Sequence, residues 1–252
     1  MTTLFARERK GAGPPIVFVH GFCQSSAYWA PSLDRVAEQG VHGLAVDLPG
    51  FGASAGLDGP YTMAGLADAL ARELDARGLR EVVLVGGSMG GVVAQHFALR
   101  HSDRVGRLLL VATGGFTANE SLALEKADAL SAAQWNEDAV TPIVDGFFHQ
   151  RPSASLLAEY RRIALSASQR AAVEAARSNA TNRTFGQLAS IRVPTMIIQG
   201  RHDRARTPEH GADMRDRIAG SVLAVIEDAG HTPQLEQAQR FHDVALPFLL
   251  SP

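Results

Sequence analysis

The chain has 252 residues, 46% of them hydrophobic and 20% charged, with a formal net charge of −2. That length suits one large α/β domain with a substantial core, and the near-neutral balance gives no electrostatic case for nucleic acid or an anionic membrane as partner. A single cysteine, Cys23, excludes an intrachain disulfide; no apolar run is long enough to span a bilayer, and the charged residues 1–10 show no signal-peptide core, so a cytoplasmic location is expected.

Taken in chain order, residues 4–8 read as an edge strand joined by a hairpin at Lys10-Gly11 to the next strand, 16–19. Ile16-Val17-Phe18-Val19 is wholly apolar, as a strand buried on both faces requires, and it ends in His20-Gly21-Phe22. A helix is expected over about 26–38, with Leu33, Val36 and Ala37 inward, then a strand at 43–46 and a loop at 47–54. Within that loop, residues 50–55 match the dinucleotide fingerprint G-x-G-x-x-A, but Gly56, Gly59 and Pro60 deny it the helix that phosphate binding needs. A helix over about 62–77 carries Leu66, Leu70 and Leu74 on one face.

The strand at 82–85 runs into Gly86-Gly87-Ser88-Met89-Gly90-Gly91, and a helical pattern follows to about residue 100. This is the pattern of a nucleophile elbow, a buried strand turning sharply into a helix with the serine at the turn. A side chain two residues either side of Ser88 would crowd so tight a turn, hence Gly86 and Gly90. The helix then points its free N–H groups and positive dipole end at the Ser88 hydroxyl.

A strand at 107–111 follows, after which the alternation stops. From about 117 to 189 only amphipathic helical stretches are seen, at 122–130, 140–148, 155–165 and 169–178. The expected division is therefore a core of residues 1–116 and 190–252 and a helical insert of 117–189. Trp135, Phe147, Phe148 and Tyr160 are its candidates for substrate contact.

Two further strands carry the remaining chemistry. The run at 194–200 ends in glycine with Asp203 just beyond it, and the run at 222–226 leads through Ala229-Gly230 to His231, before a last helix over about 233–249. Acids and bases collect beyond the C-terminal ends of parallel strands. Ser88, Asp203 and His231 are thus the candidate nucleophile, orienting acid and general base. Two backbone N–H groups are expected to bind the oxyanion, Met89 directly after the nucleophile and Phe22 in the loop after an early strand. Asp47 and Asp228 are the competing acids; Cys23 has no base placed for it; the other histidines lack metal-ligand spacing. No cofactor and no metal is expected.

The chain order Ser88, Asp203, His231 and the pieces Val19-His20-Gly21-Phe22, Asp47-Leu48-Pro49-Gly50-Phe51-Gly52 and Gly86-Gly87-Ser88-Met89-Gly90-Gly91 resemble the α/β-hydrolase superfamily over nearly the whole length. The resemblance is greatest to small bacterial esterases, enol-lactonases, cofactor-free haloperoxidases and carbon–carbon bond hydrolases. It implies the α/β-hydrolase fold, a mostly parallel central sheet with helices on both faces. It also implies a helical cap inserted after the sixth strand. The function expected is a cofactor-free serine hydrolase acting on a small carboxylic ester or lactone through an acyl-enzyme. The alternatives are a carbon–carbon (β-dicarbonyl) or amide hydrolase with the same triad, or a receptor, lyase or cofactor-free oxygenase on the same fold. The expected partner is a small-molecule substrate; oligomeric state stays open.

Overall fold

The computed structural model describes residues 3–117 and 119–251. Residues 1, 2, 118 and 252, which the expected domain limits include, lie outside them. Seven strands form one sheet in the order β1-β3-β2-β4-β5-β6-β7. They are β1 (Ala6–Arg9), β2 (Ala12–Val19), β3 (Val41–Val46), β4 (Val82–Gly87), β5 (Val105–Val111), β6 (Thr195–Gly200) and β7 (Val222–Ile226). All neighbours are parallel except β1, which pairs antiparallel with β3 along one edge.

The strands alternate their side chains between two cores, which is why they read as unbroken apolar runs. On one face Val17, Leu84, Leu108 and Ile197 pack against α2 (Met63–Ala76), α3 (Met89–Arg100) and α8 (Pro208–Arg215) through Leu66, Leu70, Phe97 and Met214. On the other, Phe18, Val85, Leu109 and Ile198 meet α1 (Ala30–Glu38) and α10 (Ala238–Leu249) through Leu33, Val36, Phe241 and Ala245. Each of these Val, Leu, Ile, Phe and Met side chains, fully buried, contributes roughly 1.5–3 kcal/mol.

Between β5 and β6 stand α4 (Glu120–Ala132), α5 (Glu137–Asp145), α6 (Ala154–Leu165) and α7 (Gln169–Ala180). Counted along this chain, the insertion follows the fifth strand. Val140, Val144, Leu157, Tyr160 and Ile163 form a third apolar cluster with Cys23 and Tyr28 of the loop after β2, so the inserted helices are packed onto the sheet's C-terminal edge.

Four local expectations are corrected. The edge strand does not form a hairpin with β2: both edges of β2 are taken, by β3 and β4, so β1 crosses over and pairs Ala6 with Val46 to Arg9 with Gly43. The first helix opens as a tight 3-10 turn at Ser26–Trp29, because Pro31 fits only the first turn of the α-helix that follows. The stretch 140–148 stops being helical at Asp145. The last helix is two, α9 (Pro233–Glu236) and α10, parted at Gln237, whose φ of −131° and ψ of 54° are not helical.

The chain steps from β2 outward to β3, then returns to the other side of β2 with β4. The crevice beyond the C-terminal ends of β2 and β4 is therefore where the strand order reverses, the place where open parallel sheets bind ligands.

Candidate active site

Ser88 sits in that crevice, at the end of β4, with φ 52° and ψ −118°. This left-handed conformation costs a non-glycine residue about 1–3 kcal/mol. It is held by bonds on both sides: Ser88 N–H donates to Val111 O at 2.8 Å, and Ser88 O accepts from Thr113 Oγ1 at 2.7 Å and from Gly91 N at 2.9 Å. The glycines are spatial necessities. A Cβ on Gly86 would lie 2.4 Å from Gly90 O, and one on Gly90 would lie 2.4 Å from both Val19 O and His20 O. Gly90→Ala is therefore expected to destabilise the fold by about 1–3 kcal/mol through overpacking. Urea denaturation checks this, and an unchanged midpoint would contradict the close approach.

His231 follows β7, where Gly200 at the end of β6 lets the loop come close: a Cβ there would fall 2.0 Å from Gly230 O. Its Nδ1 is 2.7 Å from Asp203 Oδ2 and its Nε2 is 2.7 Å from Ser88 Oγ. The Asp203 carboxylate accepts from Nδ1–H, which leaves Nε2 to accept from the Ser88 hydroxyl. The other Asp203 oxygen, Oδ1, accepts from Ala205 N and Arg206 N, both at 2.8 Å. Asp203 and His231 are buried, at 3% and 8% exposure, so the bonds lie largely out of water, where they are stronger.

The structure thus brings Ser88, His231 and Asp203 together and leaves the competing acids elsewhere. Asp47, buried, accepts from Ser26 N at 2.6 Å and Ala53 N at 2.7 Å and ties two loops together. Asp228 is exposed and pairs with Arg240. The fingerprint-like loop at 50–55 turns through a single 3-10 turn, Gly52–Ser54, and opens no helix.

Of the two expected oxyanion donors, Met89 directly follows Ser88, and Phe22 directly follows Gly21, which approaches Ser88. Met89 is the first residue of α3, one of the four whose N–H a helix leaves without an internal partner. Phe22 lies in a turn closed by Gln24 N–H donating to Gly21 O at 3.3 Å, with Cys23 at φ 52°. A Cβ on Gly21 would lie 3.1 Å from Ser88 Cβ, so this loop runs against the nucleophile. His20 shapes it: Nδ1–H donates to Gly21 O at 2.8 Å, and Nε2 accepts from Leu48 N at 3.0 Å. Burial lowers the His20 pKa below the usual imidazole range despite nearby Asp47, which keeps the ring neutral in that role. The Cys23 thiol is buried and pushed well above its ordinary range, away from thiolate chemistry.

The inserted helices reach His231 through one segment. Phe147 stacks on the His231 ring at 6.0 Å, and its carbonyl accepts from His231 N at 3.0 Å. Behind it, Tyr28 packs on Phe147 and, at 4.3 Å, on Tyr160; Phe148 stacks on Tyr160 at 5.7 Å. Burial pushes the Tyr160 phenol up to about 12. Trp135 stands further off, donating to Leu165 O. A groove of about 160 Å³ runs beside His231 along Gly146, Phe148, His149, His202 and Arg204. Sequence reasoning passed over Thr113, which fixes the elbow, and the Phe147 carbonyl. A main-chain acceptor leaves no signal in side-chain type.

Among the described residues, no group of three or more His, Cys, Asp and Glu could hold a metal ion, and no helix is long and apolar enough to cross a membrane.

A family model described as the alpha/beta hydrolase fold matches residues 14–238. The chain is 30% identical over 248 residues, 93% of its length and 86% of the relative's, to a 2-hydroxy-6-oxononadienedioate/2-hydroxy-6-oxononatrienedioate hydrolase of Klebsiella pneumoniae. Among solved structures it is similar to a thermophilic esterase from Thermogutta terrifontis, at 28% identity and a TM-score of 0.86, with 98% of this chain and 92% of that one covered. It is also similar to the enol-lactonase from Burkholderia xenovorans LB400, at 24% identity and a TM-score of 0.89, over 98% and 96% of the two chains. That last likeness is one of fold.

Proposed function

The chain belongs to the alpha/beta hydrolase fold family, and from that premise we propose that it is a serine hydrolase that cleaves a small carboxylic ester or lactone through an acyl-enzyme. The observation that carries this is the unbroken chain of bonds from Ser88 Oγ to His231 Nε2 and from His231 Nδ1 to Asp203 Oδ2, each 2.7 Å.

In this scheme Ser88 Oγ attacks the acyl carbonyl while its proton passes to His231 Nε2. The carbonyl oxygen becomes an oxyanion, which the Met89 and Phe22 N–H groups bind; one such donor contributes about 2.7–4 kcal/mol to the transition state. The intermediate collapses, the C–O bond to the leaving alkoxide breaks, and that oxygen takes the proton from His231. Water then enters, gives a proton to His231, attacks the acyl carbon and releases the acid as the proton returns to Ser88. Asp203 holds the ring in the required tautomer and stabilises the imidazolium. Nucleophile, base and oxyanion donors all come from the chain, so the scheme needs no cofactor. Residues 117–189 act as a cap that shields the intermediate from water, with Phe147 above His231.

The similarity to 2-hydroxy-6-oxononadienedioate hydrolases supports a second reading, in which the same triad cleaves a carbon–carbon bond beside a carbonyl. Steady-state assays of p-nitrophenyl acetate, butyrate and octanoate, with a small lactone beside them, test the first. Saturable turnover of at least one, favouring the shorter acyl chains, is expected. An enzyme inert toward all of them but active on a vinylogous 1,5-diketone would replace the ester reading with the second.

A further inference from the structure

Three consecutive backbone N–H groups surround the His231 side chain, and all three are held. Gly230 N donates to Glu236 Oε1 at 2.9 Å, His231 N to Phe147 O at 3.0 Å, and Thr232 N to Glu236 Oε1 at 3.2 Å. The other Glu236 oxygen, Oε2, accepts from His149 N at 2.6 Å and from Gln150 N at 3.4 Å, more than 80 residues away in sequence. Thr232 Oγ1 lies between Glu236 Oε1 at 3.2 Å and Phe147 O at 3.3 Å, with one proton to give to either.

One carboxylate therefore fastens the histidine loop to the segment that follows α5. That segment touches His231 itself and the residue beside Asp203. Phe147 stacks on His231, while the His149 ring stacks at 3.8 Å on His202, next to Asp203. Gly230 allows the approach, because a Cβ there would fall 2.7 Å from His149 N.

A helix-capping role alone would account for the bond to Thr232 N, since a glutamate early in a helix often reaches back to the N-cap amide. It does not account for Gly230, His149 and Gln150, which lie outside α9. We propose that Glu236 is a positioning residue for His231, locking the histidine loop and residues 146–150 into one unit that fixes the imidazole between Ser88 and Asp203.

The inference rests on the serine reading given above. Both Glu236 oxygens act only as acceptors, so Glu236→Gln must turn an NH2 group toward donors on one side or the other. A shift of about 1 Å in a catalytic group can lower a rate about 100-fold.

The test is the rate at which a fluorophosphonate labels the enzyme, forming a bond from phosphorus to Ser88 Oγ and releasing fluoride while His231 takes the proton. It is run on wild type, Glu236→Gln, Glu236→Ala and Ser88→Ala, with hydrogen exchange of residues 146–150 in parallel. Glu236→Gln is expected to lower kinact at least about 10-fold with KI within about two-fold, and to speed exchange at His149 and Gln150. A merely structural role would not separate kinact from KI. A kinact within two-fold of wild type, or a loss confined to KI, overturns the proposal while an unlabelled Ser88→Ala leaves the serine reading standing. Labelling that persists in Ser88→Ala, or an unlabelled wild type, overturns the serine reading and this inference with it. Should Glu236→Ala fail to fold, Glu236→Gln, which keeps the size and one acceptor, decides.

Discussion

Ser88→Ala is expected to reduce kcat for ester hydrolysis by roughly a million-fold, about 8 kcal/mol of barrier, while the protein stays folded. Alanine removes the oxygen proposed to attack and its bond of 2.7 Å to His231 Nε2. It leaves the Met89 and Phe22 N–H groups where they are, so the residual rate reports oxyanion binding and substrate positioning without a nucleophile. The fold should tolerate the change, because alanine carries the same Cβ at the same φ, and the backbone of residue 88 makes all the bonds: its N–H donates to Val111 O and its carbonyl accepts from Thr113 and Gly91. A partly exposed Ser88 site also lets water meet the freed Nε2. Steady-state kinetics beside thermal unfolding checks both halves. A variant that keeps more than about one-hundredth of the activity would require a different nucleophile.

Asp203→Asn is expected to lower kcat about 10⁴-fold at neutral pH with little effect on KM or stability. Two N–H donors, Ala205 and Arg206, face Oδ1, each at 2.8 Å. They keep the carboxamide oxygen on their side and turn its NH2 toward His231 Nδ1. Nδ1 must then accept, so the ring proton moves to Nε2, and His231 now offers a proton to Ser88 where it should take one. The geometry survives and the tautomer is wrong. If kcat fell less than about 10-fold, Asp203 would not be the group that orients His231.

The sequence showed most where the physics is local. A strand buried on both faces must be apolar throughout, and a turn as tight as the one at Ser88 admits only glycine at 86 and 90; both constraints are written in residue type. The positions of Asp203 and His231, each just past an apolar run, follow from parallel-sheet topology. What stayed hidden was set by pieces distant in sequence. The pairing of β1 with β3 depends on which strands occupy both edges of β2, and no alternation pattern encodes that. α5 ends at Asp145, where Gly146 N–H reaches Pro142 O and Phe147 N–H turns back to Val144 O. The helical pattern of 140–148 extends past it. Glu236 stands in the first turn of α9, and its bonds to His149 and Gln150 come from a loop that only the folded chain brings near. Thr232 ahead of Glu236 could have suggested the cap, though not the tie to the inserted helices.

The most direct test of the account is to mix the enzyme with p-nitrophenyl butyrate, quench in acid within the first turnovers, and map the mass of each peptide. One butyryl group is expected on the peptide containing Ser88, absent from Ser88→Ala, appearing together with a burst of p-nitrophenolate. Turnover with no acylated peptide, or acylation at Cys23 or any other residue in place of Ser88, would contradict it.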